Sequence, residues 1–436
     1  MEKISTLIKL GTKYLYRYRR RYYFLLAALV FCFAIVTFIT SSKDSMYDNV
    51  YYSAQSHYAG DLIAVGYNPD IKITHHLSSS EISSILNAVN IAGIKPKYTL
   101  QRTYFGNTGV VFFNGNSVIQ KYIIGCDWDN ESHLFSKMDF TAPLNYPIGE
   151  DGIIISVPVA RELGAEVGDS VILEVDNIFE QKNTMQFIVK GIVHDSTIFG
   201  YYKVYVSRLS LNRLLLFDDD DCSTIGFFLN NPSAAEKNRR GLHEVLSGKM
   251  QTGPLVYDRE GMDRETRMRW SGTSVFLYTM SVYISEISDL MEAMEIITYF
   301  LYGIMLIIIF VSAAVTYRLI MHERAKEMGV MRAIGFFGGD LRIVLWTEVT
   351  ILGILSLFAG FIFASIISAL ASFISFSWFP SFEIFLKDGR LSALYLPGTI
   401  VLNIVSTLLI LAAAVFFPSL SASKKNLPSL LSGEPL

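Results

Sequence analysis

"HERAKEMGVMRAIGFFGGD", His322 to Asp340, is a charged, helix-forming segment set between two runs apolar enough to cross a bilayer. Ala325, Met328, Met331 and Ile334 recur at three-residue spacing and fall near one helical face. Glu323, Arg324, Lys326 and Glu327 cluster at the start, and Arg332 follows. This pattern predicts a short amphipathic helix lying along a membrane interface. Gly335 ends it, and Gly338-Gly339 turn the chain toward the next apolar run. On pattern alone, an ordinary interfacial loop helix accounts for the same residues.

Working outward, four segments meet the length of about 20 apolar residues that a span requires: 22–42, 296–317, 349–376 and 394–417. The 436 residues are 51% hydrophobic and 13% aromatic, which points to an integral membrane protein. The first run is too long for a cleavable signal and no small-x-small site follows it, so a signal anchor is expected. Seven basic residues crowd 1–21, namely Lys3, Lys9, Lys13, Arg17, Arg19, Arg20 and Arg21. Arg318, Arg324, Lys326, Arg332 and Arg342 occupy 318–347, and Lys424 and Lys425 the tail 418–436. The hairpin 377–393 has only Lys387 and Arg390. The bias places both termini and the charged loop in the cytoplasm, and 43–295 outside. Tyr14, Tyr16, Tyr22, Tyr23 and Tyr317 stand where an interfacial aromatic belt is expected. The expected fold is an α-helical membrane protein with four transmembrane helices plus a mixed α+β extracytoplasmic domain inserted between the first and second.

No Asp, Glu, Lys, Arg or His lies inside the four runs. Ion-coupled transporters need such groups at membrane depth, so a mechanical element is favoured over a pump core. Gly353 and Gly360 suit close helix packing. A net charge of −3 gives no basic footprint for nucleic acid.

Within 43–295, "DGIIISVPVARELGAEVGDSVILEV" reads as strand, helix, turn, strand, with Ser156 as N-cap, Gly164 as stop and Gly168-Asp169 as the turn. "GDLIAVGY", "VIQKYIIGCDWD" and "MQFIVKGIVHD" read as strands, the last with a bulge at Gly191, and "SAAEKNRRGLHEVLSGKM" as a polar helix. Asp218 to Asp221 lack the ligand spacing of a calcium loop. His75-His76 have no second ligand pair, and Gly248-Lys249 lack the rest of a phosphate loop. No catalytic constellation, metal site or cofactor motif appears, so a non-enzymatic chain is expected. Cys126 and Cys222 are candidates for a disulfide; Cys32 lies in an apolar run.

"HERAKEMGVMRAIGFFGGDLRIVLWTEV" resembles the signature of FtsX/MacB-type permeases of ABC transporters: E-x-G-x-x-R-A-x-G, then a glutamate entering the next span. Glu327, Gly329, Arg332, Ala333, Gly335 and Glu348 fall on it, preceded by the charged Glu323, Arg324 and Lys326. "ISVPVARELGAEVGDSVILE", "FIVKGIVHD", "YAGDLIAV" and the tail "FFPSLSASKKNLPSLL", with Pro418 and Pro428, resemble other parts of the same family. The resemblance implies a bacterial inner-membrane permease working as a homo- or heterodimer with a cytoplasmic ABC ATPase dimer that binds the ATP. It makes the helix of 318–347 the coupling helix and "SVYISEISDLMEAMEI" a stalk moving the outer domain. It also implies mechanical work on an outer partner: lipoprotein release, as in LolC/LolE-like subunits, export through an adaptor, or activation of a wall hydrolase. The first span lacks the glycine richness common in lipoprotein-releasing subunits. A non-ABC membrane scaffold is the reading from outside the family.

Overall fold

The structure is a computed structural model describing residues 2–17, 19–106, 108–144, 146–194, 202–268, 270–376, 385–386 and 389–424. Most of the hairpin 377–393 with Lys387, as well as Lys425 and Pro428, lies outside the described residues.

Two helices open the chain, α1 (Glu2–Arg17) and α2 (Arg19–Tyr58). A sheet-forming stretch follows, beginning with β1 (Leu62–Tyr67), α3 (Ser79–Ile91), β2 (Pro96–Gly106), β3 (Val110–Phe113), β4 (Asn116–Ile119) and β5 (Tyr122–Cys126). Next come α4 (Ser132–Phe135), β6 (Asp139–Phe140), β7 (Gly152–Ser156), α5 (Val157–Leu163), β8 (Ser170–Asp176) and β9 (Lys182–His194). It closes with β10 (Lys203–Ser207), α6 (Arg208–Leu215), β11 (Thr224–Leu229), α7 (Ala235–Ser247), α8 (Arg259–Thr266), β12 (Ser274–Thr279) and α9 (Met280–Tyr283). The last helices are α10 (Ser285–Glu323), α11 (Ala325–Ala333), α12 (Gly338–Ala371) and α13 (Pro397–Lys424).

The chain divides into two compact units. One gathers Met1–Met46, Glu292–Ser375 and Arg390–Leu436, the other Tyr47–Met291 and Phe376–Gly389. Among the described residues, four stretches are helical, long and apolar enough to cross a membrane: Tyr22–Tyr58, Ser285–Glu323, Gly338–Ala371 and Pro397–Phe416.

In the helical unit, Leu25, Leu29, Ile309, Ala313, Val349, Leu352, Leu411 and Val415 form the apolar centre. A Cβ on Gly360 would stand 2.9 Å from the Phe33 ring and 3.0 Å from the Val30 carbonyl, so α12 crosses α2 at the small-residue position read from the sequence. α12 starts at Gly338, well ahead of its apolar run, because the Asp340 carboxylate accepts the Phe337 N–H at 2.9 Å and caps the first turn. Glu348 is therefore an interior residue of a helix rather than a loop residue at its mouth. α1 is a helix that the basic count of 1–21 did not predict. Leu7 and Gly11 are buried on one side, and Lys9, Thr12, Lys13 and Tyr16 are exposed on the other.

In the second unit the strands run in the order β12-β1-β11-β2-β5-β10-β7-β9-β8-β3-β4, with β6 on β9. β2 serves two halves of the sheet: Pro96 to Arg102 pair with β11, and Thr103 to Gly106 with β5. The β10–β5 and β7–β9 pairs are parallel, and the others antiparallel. One core packs α5 and α6 on the sheet through Val159, Leu163, Leu211 and Leu214. Another packs α3 and α7 through Ile82, Ile85, Leu242 and Leu246.

The β7–α5–β8 unit is as read from sequence, with Gly164 left-handed at the C-cap. Ser156 holds the N-cap position, but its hydroxyl makes no cap hydrogen bond. Gly191 lies beside a register shift in the β7–β9 pair. "VIQKYIIGCDWD" is two strands, β4 and β5, parted at Gln120-Lys121 rather than at a glycine.

The last turn of α2 is held from the sheet side. Arg102 Nη1 donates to the Ser56 and His57 carbonyls at 2.7 and 3.0 Å, while Arg102 Nε and Nη2 bind the buried Glu131 carboxylate. A guanidinium suits these carbonyls because a helix C-terminus carries partial negative charge. Asp61, buried just past α2, accepts from Tyr51 at 2.6 Å, Gln55 at 2.8 Å and the Leu229 N–H at 2.7 Å. Cys126 and Cys222 are buried and free. Asp221 meets His76 Nε2 at 2.8 Å, which ties its loop to the strand-like bridge between Leu77 and Cys222.

Candidate functional site

The segment after α10 is shaped by Arg324. Its φ of −95° and ψ of 6° break the helix, and α11 restarts at Ala325. Apolar packing seats the new helix: Met328 and Met331 join Met321, Leu341 and Leu345 in one buried cluster, with Tyr14 and Phe336 at its margin. Gly329 is buried in the same face. Ile334 departs from the sequence expectation. It was placed on the face of Ala325, Met328 and Met331, yet it is 74% exposed. Ile334 caps the helix with its N–H still on the Val330 carbonyl at 3.1 Å, and a three-residue spacing drifts by about 60° per step in a 3.6-residue helix, which carries it from the buried face to the outer one. Gly335 closes the segment with φ +106°, a conformation costly for any residue carrying a Cβ, although no atom lies within 4 Å of where that Cβ would stand.

Beneath α11 the sequence-predicted residues separate into two groups. Arg324 turns inward, and its Nη1 lies 3.0 Å from both Oε1 and Oε2 of Glu348 on α12. The Tyr22 hydroxyl of α2 donates to Glu348 Oε2 at 2.6 Å. The Tyr14 ring of α1 lies 4.5 Å from the Arg324 guanidinium carbon, within cation–π range. Glu327 stands further off, with Oε2 3.8 Å from Arg324 Nε. A buried guanidinium and carboxylate are tolerated only when paired and hydrogen-bonded, and here each has such partners. The cluster joins α1, α2, the α10–α11 link and α12 at one point.

The second group faces away from this cluster. Glu323, Lys326, Ala333 and Gly335 are exposed and Arg332 is half-buried. Between them stand Val330, Ile334 and Phe337, 51%, 74% and 73% exposed. Lys326, Val330 and Ile334 follow one another at helical spacing on α11 and its cap, and Phe337 stands beyond Gly335 ahead of α12, giving a mixed charged and apolar ridge. A ridge of this kind can dock into a groove of another protein or sit at a bilayer surface. Among the described residues no group of three metal-ligating side chains is present.

Sequence reasoning missed the participation of Tyr14 and Tyr22. Both were assigned to an interfacial belt, but Tyr22 is 2% exposed and Tyr317 fully buried, because their hydroxyls and rings lie among the helices instead of at a surface. Tyr16 and Tyr23 do remain exposed.

Residues 299–427 match the family model described as FtsX-like permease C-terminal. This stretch, which carries the ridge and the buried pair on three membrane-length helices, is similar to FtsX-like permease C-terminal domains. Two solved structures are similar. The periplasmic region of MacB from Actinobacillus actinomycetemcomitans is 12% identical, covering 54% of this chain and 96% of that one with a TM-score of 0.30. A domain of a putative permease from Porphyromonas gingivalis is 11% identical, covering 51% and 89% with a TM-score of 0.26. No curated protein matches the chain.

Proposed function

We propose that this chain is the permease subunit of an ABC transporter, with α11 as the helix that docks on a cytoplasmic ATPase. One observation carries the reading: exposed Lys326, Val330 and Ile334 line the outer face of a short helix and its cap, and the root of that helix, Arg324, is fixed by a buried ion pair and its Tyr22 partner to two helices long enough to cross a membrane. Force applied to the ridge is then delivered to α12 through Glu348 and to α2 through Tyr22. In this role the subunit has no catalytic residues and binds no cofactor; ATP is bound and hydrolysed by the partner.

The outer work is mechanical. The sheet-bearing unit handles a lipoprotein or another substrate outside the inner membrane, in a dimer with a second copy or a related permease. FtsX-like activation of a wall hydrolase uses the same machinery with a different outer partner.

The test is purification from native membranes in mild detergent, followed by mass spectrometry. An ABC ATPase at near-equal stoichiometry, lost in an Ile334→Asp variant that still inserts, is the expected result. The outer component found with it separates lipoprotein release, export and hydrolase activation. If no ATPase accompanies the chain even after cross-linking with nucleotide bound, the coupling assignment is wrong.

A further inference from the structure

A groove of about 660 Å³ runs between α1 and α12, lined by Ile8, Ile343, Trp346 and Ile351 with Gly339, Arg342, Thr347 and Thr350. It exists because Gly11 brings the two helices together: a Cβ there would stand 3.0 Å from Thr347 Cβ and 3.1 Å from the Val344 carbonyl. Its polar lining atoms are largely spoken for. The Thr347 hydroxyl donates to the Ile343 carbonyl and that of Thr350 to the Trp346 carbonyl, both at 2.8 Å. The Asp340 carboxylate beside it is buried and caps the helix. What the groove offers is therefore hydrocarbon along its length and one cation, the exposed Arg342, near one end. From Gly339 to Ile351 the wall extends roughly 18 Å at 1.5 Å per residue, enough for much of an acyl chain. Trp346 lies one turn beyond Arg342, and an amphipathic ring of this kind favours the boundary between headgroups and hydrocarbon. The outer side of α1 adds exposed Lys9 and Lys13.

We propose that this groove binds one anionic phospholipid of the membrane, its headgroup at Arg342 and an acyl chain along Ile343, Trp346 and Ile351. The charge decides the class: an apolar slot closed by arginine, on a helix pair whose free side is basic, selects a negative headgroup over a zwitterionic one. The site is separate from the Arg324–Glu348 pair, so it stands or falls independently of the coupling role.

The experiment uses the full-length protein, delipidated in detergent and titrated with phosphatidylglycerol or phosphatidylcholine, with bound lipid counted by native mass spectrometry. Wild type should retain a single phosphatidylglycerol and prefer it over phosphatidylcholine. Arg342→Gln should weaken the anionic lipid about fivefold, the effect of one basic residue near a lipid surface, and leave phosphatidylcholine unchanged. Ile8→Trp, which fills the groove without touching Arg342, should reduce retention of both lipids. The thermal midpoint of each variant should match wild type, and retention is compared only where it does. Arg342→Lys, which keeps the charge, should hold the preference and serves as the folded control. Equal retention of the two lipids by wild type, or a preference untouched by Arg342→Gln, would overturn the proposal. Displacement by inorganic phosphate would do so as well, since it would mark a headgroup site without a lipid groove.

Discussion

Replacing Glu348 by Ala leaves the Arg324 guanidinium where its side chain is only 5% exposed, with its carboxylate partner gone. The size of the effect follows from the geometry. Two unit charges about 4 Å apart at an effective dielectric of about 20 attract by about 4 kcal/mol. Removing one member of a buried pair typically costs ~3–5 kcal/mol, most of it from the stranded charge. The Tyr14 ring at 4.5 Å and Glu327 at 3.8 Å soften this, so about 3 kcal/mol is expected. Tyr22→Phe removes only the hydrogen bond to a charged oxygen, about 1.5–3 kcal/mol. The paired replacement Arg324→Met with Glu348→Leu removes both charges and should recover most of the loss, because well-packed apolar residues often substitute for a buried pair without destabilisation. The assay is thermal unfolding of the purified protein in nanodiscs across Arg324→Met, Glu348→Leu and their double, read as a double-mutant cycle, with Glu348→Ala and Tyr22→Phe measured alongside. A Glu348→Ala variant with an unchanged midpoint, or single losses that simply add in the double, would show that the pair is not energetically coupled. A double variant that is stable yet no longer stimulates the ATPase proposed above would separate transmission from folding.

Three further outcomes are expected. Gly335→Ala should destabilise by about 1 kcal/mol through its left-handed backbone alone, visible as a lowered thermal midpoint, since no atom opposes the new Cβ. In the sheet-bearing unit, Arg102→Ala should strand the fully buried Glu131 carboxylate and free the Ser56 and His57 carbonyls. Limited proteolysis of that unit should then rise sharply, for a loss on the order of 3–5 kcal/mol. Cys126 and Cys222 should resist maleimide at neutral pH until the protein is denatured. Burial pushes both thiols up, that of Cys222 to about 12, so the reactive thiolate appears only at pH values well above neutral; rapid native labelling at pH 7 would contradict their buried placement.

Much of this architecture is written in short-range pattern. The apolar runs become membrane-length helices because about 20 such residues leave few alternatives, and β7–α5–β8 follows from alternation and from glycines placed at Gly164 and Gly168. The period of α1 is written in Leu7, Gly11 and Tyr14, which recur at helical spacing on its inner side, but the basic residues interleaved with them dilute that apolar stripe. The double use of β2 was not legible, because nothing within Pro96–Gly106 says that it changes partner after Arg102. Nor was the cluster around Glu348. Arg324 and Glu348 each sit in the permease-like signature, yet they are 24 positions apart and Tyr22 lies 326 from Glu348. A local pattern marks each as a charged or aromatic residue near an interface, and only packing turns them inward.

The inward turn of Glu348 bears on what the helices do. An ionisable residue inside a membrane-length helix is a candidate proton or ion carrier by default. Here, however, both carboxylate oxygens lie 3.0 Å from the Arg324 guanidinium, and Oε2 also takes the Tyr22 hydroxyl, so protonation would discard a charge-assisted hydrogen bond. A second polar group, Lys43 and Asp44 with Thr399, stands about 33 Å further along α2 at 1.5 Å per residue. Between them the sequences of the four apolar runs contain no Asp, Glu, Lys, Arg or His, and the Asn403–Thr40 hydrogen bond at 2.9 Å joins α13 to α2 through neutral groups. A relay needs successive titratable sites within hydrogen-bond reach, whereas a lever needs fixed joints at its ends and plain hydrocarbon between. The distribution of polar contacts along α2 fits the lever that the proposed mechanical role requires.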